Sequence, residues 1–222
     1  MGIQQISDDA KKIKGVSDIV FCFDCTGSMT EIIANVKENV DKFADGLGAN
    51  SEVVLDWRAR AMGYRDFEVD DEYLLNDNPF VSTPEDLKEQ IAGMEAKEYT
   101  GGDDPESTID AIWYAMKKSP WRVNCHKVIV LFTDETTKGV NDKTLADIPG
   151  SSADIDLLLQ ELNVEHIKLF LWGKTDPMYE TLSKQEKAHV YQLDDPATEF
   201  KNINFDEVMS VIGKTVSDLI SE

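Results

Sequence analysis

Cysteine is scarce in this 222-residue chain, which contains only Cys22, Cys25 and Cys125. An odd and sparse set does not build a disulfide framework, and it predicts free thiols in a reducing compartment. Cys22 and Cys25 have no second Cys or His pair nearby, so a zinc site is not expected. The first residues also lack the basic and apolar regions of a secretory signal. We therefore expect a cytoplasmic protein.

Long apolar runs are missing as well. No stretch approaches the roughly 18 uninterrupted apolar residues that a membrane-spanning helix needs. Hydrophobic residues still make up 41% of the sequence, which is enough to bury a sizeable core in a chain of this length. Because no repeat or low-complexity linker divides the chain, we expect one domain over residues 1–222. Its core is expected over about 17–221, with an N-terminal helical extension over 1–16.

Basic residues are few: 22 Lys and Arg stand against 43 Asp and Glu, for a formal net charge of −21. This charge argues against nucleic acid, whose phosphates require basic patches, and against anionic membrane surfaces. The densest acidic stretch, residues 66–72, lacks the turn glycines and regular ligand spacing of a second cation site. We expect it to be a solvated loop or a face for a basic surface of a protein partner.

Apolar strand patterns alternate with amphipathic helical patterns along the chain. An apolar run at 18–24 is followed by apolar residues at helical spacing over 32–47. Further strands are predicted at 53–64, 127–133 and 165–172. This alternation predicts an α/β fold, a three-layer Rossmann-like open sheet that is mostly parallel and has helices on both faces.

Local signals set the expected element boundaries. Three polar–Pro pairs are each predicted to begin a helix, because the polar side chain caps the first turn and Pro has a helical φ: Thr83-Pro84, Asp104-Pro105 and Asp176-Pro177. Gly46 and Gly48 are predicted to end the first long helix. Residues 135–152 have no regular pattern, and after a strand at 189–193 only one closing helix is expected.

The stretch Asp24-Cys25-Thr26-Gly27-Ser28 directly follows the first apolar strand. Its three oxygen-bearing side chains alternate at the end of a parallel strand, the edge where open α/β sheets bind ligands. A second apolar strand ends at Asp134. Short oxygen ligands suit a hard divalent cation, and Mg²⁺ takes few protein ligands and keeps several waters. The two strand ends together predict a cation site.

With these residues the chain resembles the von Willebrand factor A family, whose metal-ion-dependent adhesion site is written D-x-S-x-S on the first loop, with Thr on a second loop and Asp on a third. Asp24-x-Thr26-x-Ser28 is similar to the first element, with Thr in place of the first Ser. Asp134 is similar to the third. Gly63-Tyr64-Arg65-Asp66 adds a likeness to intracellular A domains.

The second loop is less regular. Gly101-Gly102-Asp103-Asp104-Pro105-Glu106 resembles a paired-glycine variant of this element, and Thr100, Asp103 or Asp104 stands where the family places Thr. Asp103 is the preferred candidate. A carboxylate there would neutralise more of the ion's charge than a hydroxyl does, and would weaken attraction for an incoming acid.

The resemblance implies a non-enzymatic module that binds a divalent cation and mediates protein recognition or complex assembly. The implied metal ligands are Asp24, Thr26, Ser28, Asp103 and Asp134. Mg²⁺ is the expected ion, with Mn²⁺ and Ca²⁺ left open. An acidic side chain of a protein partner would complete the metal shell. No catalytic residue is implied.

A different class remains as an alternative: a Mg²⁺-dependent phosphohydrolase of the haloacid dehalogenase type with Asp24 as nucleophile. Against it, Thr26 stands where those enzymes carry a general acid, and Asp134 is single where they carry an acidic pair. The sequence contains no G-x-x-x-x-G-K-[ST] motif, which argues against a P-loop enzyme. Asp24 could also serve only as an N-cap for the following helix. That role would not explain why Asp134 stands at the end of a neighbouring strand.

Overall fold

A six-stranded sheet lies between two layers of helices in the computed structural model, which describes residues 13–47, 54–67, 74–75, 77–94, 96 and 105–219. The strand order is β3-β2-β1-β4-β5-β6. Strands β2, β1, β4, β5 and β6 are parallel to one another, and only the short β3 is antiparallel to its neighbour β2. The strands are β1 (Ile13–Asp24), β2 (Val54–Tyr64), β3 (Leu74–Leu75), β4 (His126–Phe132), β5 (Ile167–Lys174) and β6 (Ala188–Leu193).

Helices cover both faces of this sheet. They are α1 (Thr30–Leu47), α2 (Pro84–Ala92), α3 (Thr108–Lys118), α4 (Asp142–Asp147), α5 (Ile155–Val164), α6 (Pro177–Leu182), α7 (Pro196–Asn202) and α8 (Phe205–Leu219). Side chains of α1, α2 and α8 share one core with the sheet, and those of α3, α5 and α6 share the other. The predicted three-layer, mostly parallel α/β fold is confirmed. None of the described helices is long and apolar enough to cross a membrane.

The central strand β1 is buried on both sides. Phe21 and Phe23 belong to the core under α1, whereas Val20 and Cys22 belong to the core under α3. Such double burial explains why the strand reads as a continuous apolar run rather than an alternating one. The helical stripe predicted for α1 is also buried, at Ile32, Ile33, Val36, Val40, Phe43 and Leu47.

Helices α1 and α8 approach each other closely at two glycines. A Cβ on Gly46 would lie 2.8 Å from Ser210 O, and one on Gly213 would lie 2.4 Å from Phe43 O. The absence of both side chains allows this backbone contact. Gly46 therefore lies inside α1 for packing, and α1 ends at Leu47, between the two glycines that were predicted to end it. Gly48 itself lies outside the described residues.

Two other predicted boundaries are corrected. Strand β1 begins at Ile13, so residues 13–16, predicted as part of a helical extension, are strand because Ile13 is already paired with Val54 of β2. Residues 1–12 lie outside the described part. The short α4 falls in the segment expected to be irregular, and α7 precedes the expected closing helix.

The start of α3 also differs from the prediction. Glu106 N–H donates to Thr136 O at 2.9 Å, and Lys138 N–H donates to Glu106 O at 2.9 Å. These bonds form a parallel bridge to the segment after β4, so the helix begins at Thr108 instead of Pro105.

A row of stacked rings crosses the carboxyl-terminal part of the sheet. Ring centroids are 5.8 Å apart between Phe23 and Phe132, 5.1 Å between Phe132 and Trp172, and 4.6 Å between Trp172 and Tyr191. The row joins β1, β4, β5 and β6 on the face covered by α8, since Phe132 also contacts Phe205. It packs directly behind the ends of β1 and β4.

At the opposite end of the sheet, Asp18 anchors the loop before β4. Its fully buried carboxylate accepts hydrogen bonds from Arg58 Nε and Nη2 at 2.8 Å each, and from Arg122 N and Nε at 2.7 and 2.8 Å. Burial opposes ionisation, but these hydrogen bonds outweigh it and lower the pKa of Asp18. The cluster is structural and far along β1 from the predicted cation site.

Candidate metal site

The carboxyl ends of β1 and β4 lie side by side in the middle of the sheet, where Phe23 pairs with Phe132. From β1 the chain builds outward through β2 to β3, and then returns to β4 on the other side of β1. The strand order therefore reverses between β1 and β4. Open α/β sheets bind ligands in the crevice at such a reversal.

Asp24 is the buried centre of this crevice. Its side chain has no exposed surface. Oδ1 accepts hydrogen bonds from Thr26 N at 2.9 Å and Thr26 Oγ1 at 2.7 Å, and Oδ2 accepts one from Thr133 Oγ1 at 2.9 Å. Cys25 N–H also donates to Tyr64 O at 2.8 Å, which ties the loop to the end of β2. These bonds fix the first loop before α1 begins.

The two hydroxyl groups of the loop are presented differently. Thr26 gives its hydroxyl proton to Asp24 and keeps its oxygen lone pairs available for a cation. Ser28 lies in a 3₁₀ turn, Gly27–Met29, that leads into α1, and its side chain is exposed. Both oxygens are of the kind that hard divalent cations accept.

Asp134 follows β4 and joins the same site. It is half-buried and lines a cleft of about 470 Å³ together with Ser28. Lys201 also lines this cleft, and its Nζ lies 3.5 Å from Oε2 of Glu31. The structure thus brings Asp24, Thr26, Ser28 and Asp134 to one crevice, and the cleft connects it with solvent.

The predicted second-loop candidates Thr100, Asp103 and Asp104 lie outside the described residues. Within the described ranges, no three Asp, Glu, His or Cys side chains converge on a point where they could hold an ion. A cation here would need a mixed set, with hydroxyl oxygens and water in addition to carboxylates.

The electrostatics of the crevice favour a cation. Burial raises the pKa of Asp24 to about 7, and the Asp134 carboxylate adds to the rise, while hydrogen bonds from Thr26 and Thr133 oppose it. Two carboxylates close together destabilise each other's charge. A bound divalent ion would offset that repulsion, so the donor set fits the implied metal.

Glu106 is a site residue that the sequence reasoning missed. Its side chain is 4% exposed, and Oε2 accepts no hydrogen bond from the described residues. Burial raises the pKa of Glu106 to about 9, with the carboxylates of Asp24 and Asp66 adding to the rise and Lys138 opposing it. The only sequence signal was its place at the end of the second-loop motif.

Thr133 was missed as well, although it immediately precedes Asp134 at the end of β4. Its hydroxyl holds Asp24, so it shapes the site without being an expected ligand. A hydroxyl residue at a central strand end was the signal that could have identified it.

Asp66 departs from the expectation of a solvated acidic loop. It is fully buried, and its Oδ2 lies 2.8 Å from Lys138 Nζ. Ser107 Oγ is 3.4 Å from Asp66 Oδ1 and accepts a hydrogen bond from Phe67 N at 2.9 Å. Asp66 therefore belongs to the support of the site. The remaining acidic residues of that stretch lie outside the described part.

The two cysteines near the site, Cys22 and Cys25, are expected to be unreactive. Cys22 and Cys25 are buried and free, and burial raises the pKa of each thiol to about 12. A thiol in that state is neither a nucleophile nor a metal ligand at neutral pH.

Comparison with known proteins shows the family of the chain. The model of the von Willebrand factor type A domain matches residues 18–219, which is most of the chain. The chain belongs to this family. Comparison with the curated proteins gives no match.

Solved structures resemble this A domain at low sequence identity. Proximal thread matrix protein 1 from the mussel byssus is 15% identical with a TM-score of 0.56, over 91% of this chain and 46% of its own. A second structure of that protein is described as having a zinc occupied MIDAS motif. A von Willebrand factor type A protein from Catenulispora acidiphila is 15% identical with a TM-score of 0.52, over 91% of this chain and 43% of its own. The chain thus spans less than half of these relatives, and the likeness shows the fold.

Proposed function

We propose that this A domain binds a divalent cation and takes part in protein recognition or complex assembly through it. The observation that carries the proposal is the hydrogen-bonded cluster of Asp24, Thr26 and Thr133 at the reversal of strand order. Ser28 and Asp134 lie beside it on an open cleft. Family membership supports a recognition module.

Each residue has a role that its environment suits. Thr26 and Ser28 would offer neutral hydroxyl oxygens directly, while Asp24, whose oxygens are already engaged, and Asp134 would act through water. Neutral ligands leave the ion electrophilic, so when bound it supplies a position for an oxygen from a partner. Asp103 stays the sequence-based candidate for the second loop. Mg²⁺ is proposed, and the mussel protein's zinc supports the divalent class only.

The cleft suggests how a protein partner would reach the ion. An acidic side chain entering it would meet Ser28 and Asp134, with Lys201 also lining the cleft. A basic partner surface facing the acidic stretch at 68–72 is the second mode of recognition; Asp66 is buried and does not contribute to it. Nucleic acid and membrane remain disfavoured by the net charge of −21.

The buried state of Asp24 speaks against the phosphohydrolase alternative. A nucleophilic carboxylate needs an oxygen exposed to its substrate, whereas both Asp24 oxygens accept hydrogen bonds and the side chain has no exposed surface. The buried free thiols of Cys22 and Cys25 fit the proposal that the domain works in a reducing, cytoplasmic setting.

Thermal melts with Mg²⁺ or Mn²⁺ against an EDTA control test the proposal. An ion at 100 times its dissociation constant that binds only the folded state adds about 2.7 kcal/mol of stability. We expect an upward shift for the natural sequence and none for Asp24→Asn or Asp134→Ala. Asp154→Ala removes an exposed helix-capping carboxylate at α5 and should keep the shift. A shift that persists in both site variants would refute the assignment.

A further inference from the structure

Strand β6 forms one edge of the sheet, and among the described residues only those of β5 pair with it. Edge strands of natural proteins are commonly protected from pairing with another chain by charged side chains, proline or a bulge. The stretch Ala188–Leu193 contains no Asp, Glu, Lys, Arg or Pro, and its pairing with β5 has no register shift. This edge strand therefore lacks the usual protection against a further strand.

The backbone of β6 directs hydrogen-bonding groups outward at alternate residues. The carbonyl groups of Lys187 and Leu193 accept hydrogen bonds from backbone N–H groups on the β5 side, at 3.0 and 2.9 Å. Because the direction of these groups alternates along a strand, the N–H and C=O groups of Val190 and Gln192 point away from the sheet. No described residue forms a hydrogen bond with these four groups. A strand laid alongside β6 would satisfy them.

An apolar groove of about 350 Å³ lies beside β6 on the face covered by α8. Trp172 and Leu193 line it from the sheet, and Val208 lines it from α8. Tyr191 and Val211 line it as well, although their side chains are 41% and 45% exposed. A strand that joined β6 would direct every second side chain towards this face. The groove thus adds apolar contact to the backbone pairing.

Charges of opposite sign stand at the two ends of β6. Lys168 and Lys187 lie at its amino-terminal end, where Glu186 offsets part of their charge, and Asp194 and Asp195 directly follow its carboxyl-terminal end. If a second copy pairs in the antiparallel direction, the lysine end of each strand faces the aspartate end of the other. A parallel arrangement would place like charges together. The edge is therefore complementary to itself in one direction only.

We propose that two copies of this chain pair through β6, antiparallel and about a two-fold axis that passes near Val190. Such an axis makes the contact isologous. The two Val190 residues exchange both of their outward backbone hydrogen bonds, and Gln192 N–H of each copy donates to Ala188 C=O of the other. On the face covered by α8, His189 stands opposite Tyr191 of the second copy, at the separation where cross-strand side chains contact each other.

The dimer does not require the cation, but its consequence for partners rests on the proposed function. Antiparallel pairing turns the carboxyl ends of the two sheets in opposite directions. The clefts lined by Ser28 and Asp134 in the two copies therefore lie at opposite ends of the dimer. Such a pair connects two partner molecules, which is the geometry of an assembly module.

Sedimentation velocity over a series of protein concentrations tests for the dimer. The net charge of −21 on each copy opposes association, so the buffer contains about 0.15 M salt, at which exposed charges more than about 8 Å apart are largely screened. We expect a species of twice the mass of one chain that dissociates on dilution, in EDTA and in Mg²⁺ alike. A species of single mass up to about 0.1 mM would overturn the proposal. Because the dimer forms without the cation, a failure of cation binding in the thermal melts leaves this result unaffected.

Val190→Pro removes the outward N–H at the proposed axis. Proline is tolerated on an edge strand where its nitrogen faces away from the sheet, so β6 should stay paired with β5. Each dimer loses two hydrogen bonds, and the dissociation constant should rise at least about tenfold. Val190→Ala is the matched control, because it also removes side-chain packing against the core under α3 but keeps the N–H. Its dissociation constant should stay within about twofold of the natural value, and equal effects of the two variants would overturn the proposal.

Charge reversal tests the direction of pairing at two positions outside the core. Lys187→Asp leaves acids at both ends of the strand and should raise the dissociation constant about two- to fivefold. Asp195→Lys added to it reverses both ends and should restore dimerisation; the Asp195 side chain makes no capping hydrogen bond to α7. Recovery in the double variant indicates antiparallel pairing of two copies. A single reversal without effect, or a double variant as weak as the single one, would overturn it.

Discussion

Thr133 Oγ1 donates a 2.9 Å hydrogen bond to Asp24 Oδ2 across the carboxyl ends of two neighbouring parallel strands. Both side chains are fully buried. The bond closes the back of the crevice and sets the direction of the Asp24 carboxylate, whose other oxygen is held by Thr26. The orientation of Asp24 thus depends on a residue from a different strand, and that dependence can be measured.

Thr133→Val keeps the volume of the side chain and removes this hydrogen bond. We expect a loss of about 1–2 kcal/mol in the free energy of unfolding, because an oxygen of Asp24 is left unsatisfied in a buried place. The cation-induced thermal shift should also decrease. Thr133→Ser retains the hydroxyl and should preserve most of the shift. If Val and Ser behave alike, the hydroxyl does not orient Asp24.

Asp18→Asn should destabilise the fold without affecting cation binding. Asn cannot balance the charges of Arg58 and Arg122, and removing one member of a buried ion cluster costs about 3–5 kcal/mol. Urea unfolding at neutral pH measures the loss, and the Mg²⁺-induced shift should remain. A loss of that shift would show that the two ends of the sheet are coupled.

The effect of Asp18→Asn should also depend on pH. The pKa of Asp18 in the folded protein lies below its ordinary value of 3.8. The stability that ionised Asp18 contributes is therefore fully present at pH values above its ordinary pKa, and it is lost as pH falls through the folded-state pKa. We expect the stability difference between the natural sequence and Asp18→Asn to be constant from pH 7 to about pH 5 and to narrow below about pH 4. A constant difference down to pH 2 would contradict the role of ionised Asp18.

Gly213→Ala should strain the contact between α1 and α8. The added methyl group would lie 2.4 Å from Phe43 O, which is backbone and cannot rotate away. Overpacking of this kind costs about 1–3 kcal/mol. Gly139→Ala makes the same change where nothing lies within 4 Å. The free energies of unfolding of the two variants, obtained from thermal melts, should therefore differ by that amount. Equal melting temperatures would mean that the helices shift apart at little cost.

If the domain recognises proteins and is not an enzyme, it should not hydrolyse generic phosphate esters. In the presence of Mg²⁺, its hydrolysis rate should not exceed that of a heat-inactivated control. The physical reason is that Asp24 is buried with both oxygens accepting hydrogen bonds. Turnover that disappears in Asp24→Asn would support the haloacid dehalogenase alternative instead.

Elements with a strong repeating pattern were predicted well from the sequence. The stripe from Ile32 to Leu47 defined α1, since a helix that buries one face shows its period directly. Thr83 and Asp176 marked helix starts, and each accepts the backbone hydrogen bond of a cap. The apolar run of β1 likewise indicated a strand buried on both faces.

Features that depend on long-range contacts could not be predicted in this way. Glu106 stays out of α3 because its backbone pairs with the segment after β4, a contact about 30 residues away along the chain. Asp66 lies in an acidic stretch that predicts a solvated loop, but its burial depends on Lys138, which is 72 residues away along the chain and lies 2.8 Å from its carboxylate. At the site, the motif predicted Asp24, Thr26, Ser28 and Asp134, whereas the hydrogen bond from Thr133 to Asp24 depends on the pairing of β4 with β1.

The row of stacked rings gives the molecule an internal optical probe. Trp172 stacks between Phe132 and Tyr191, and its carbonyl accepts the hydrogen bond of Thr133 N–H at 3.0 Å. We therefore expect a change in the crevice to alter the environment of this indole, which is one of the four tryptophans of the chain. Cation titrations can be followed by tryptophan fluorescence without a label, and the cation-dependent change that disappears in Trp172→Phe is the part that Trp172 contributes.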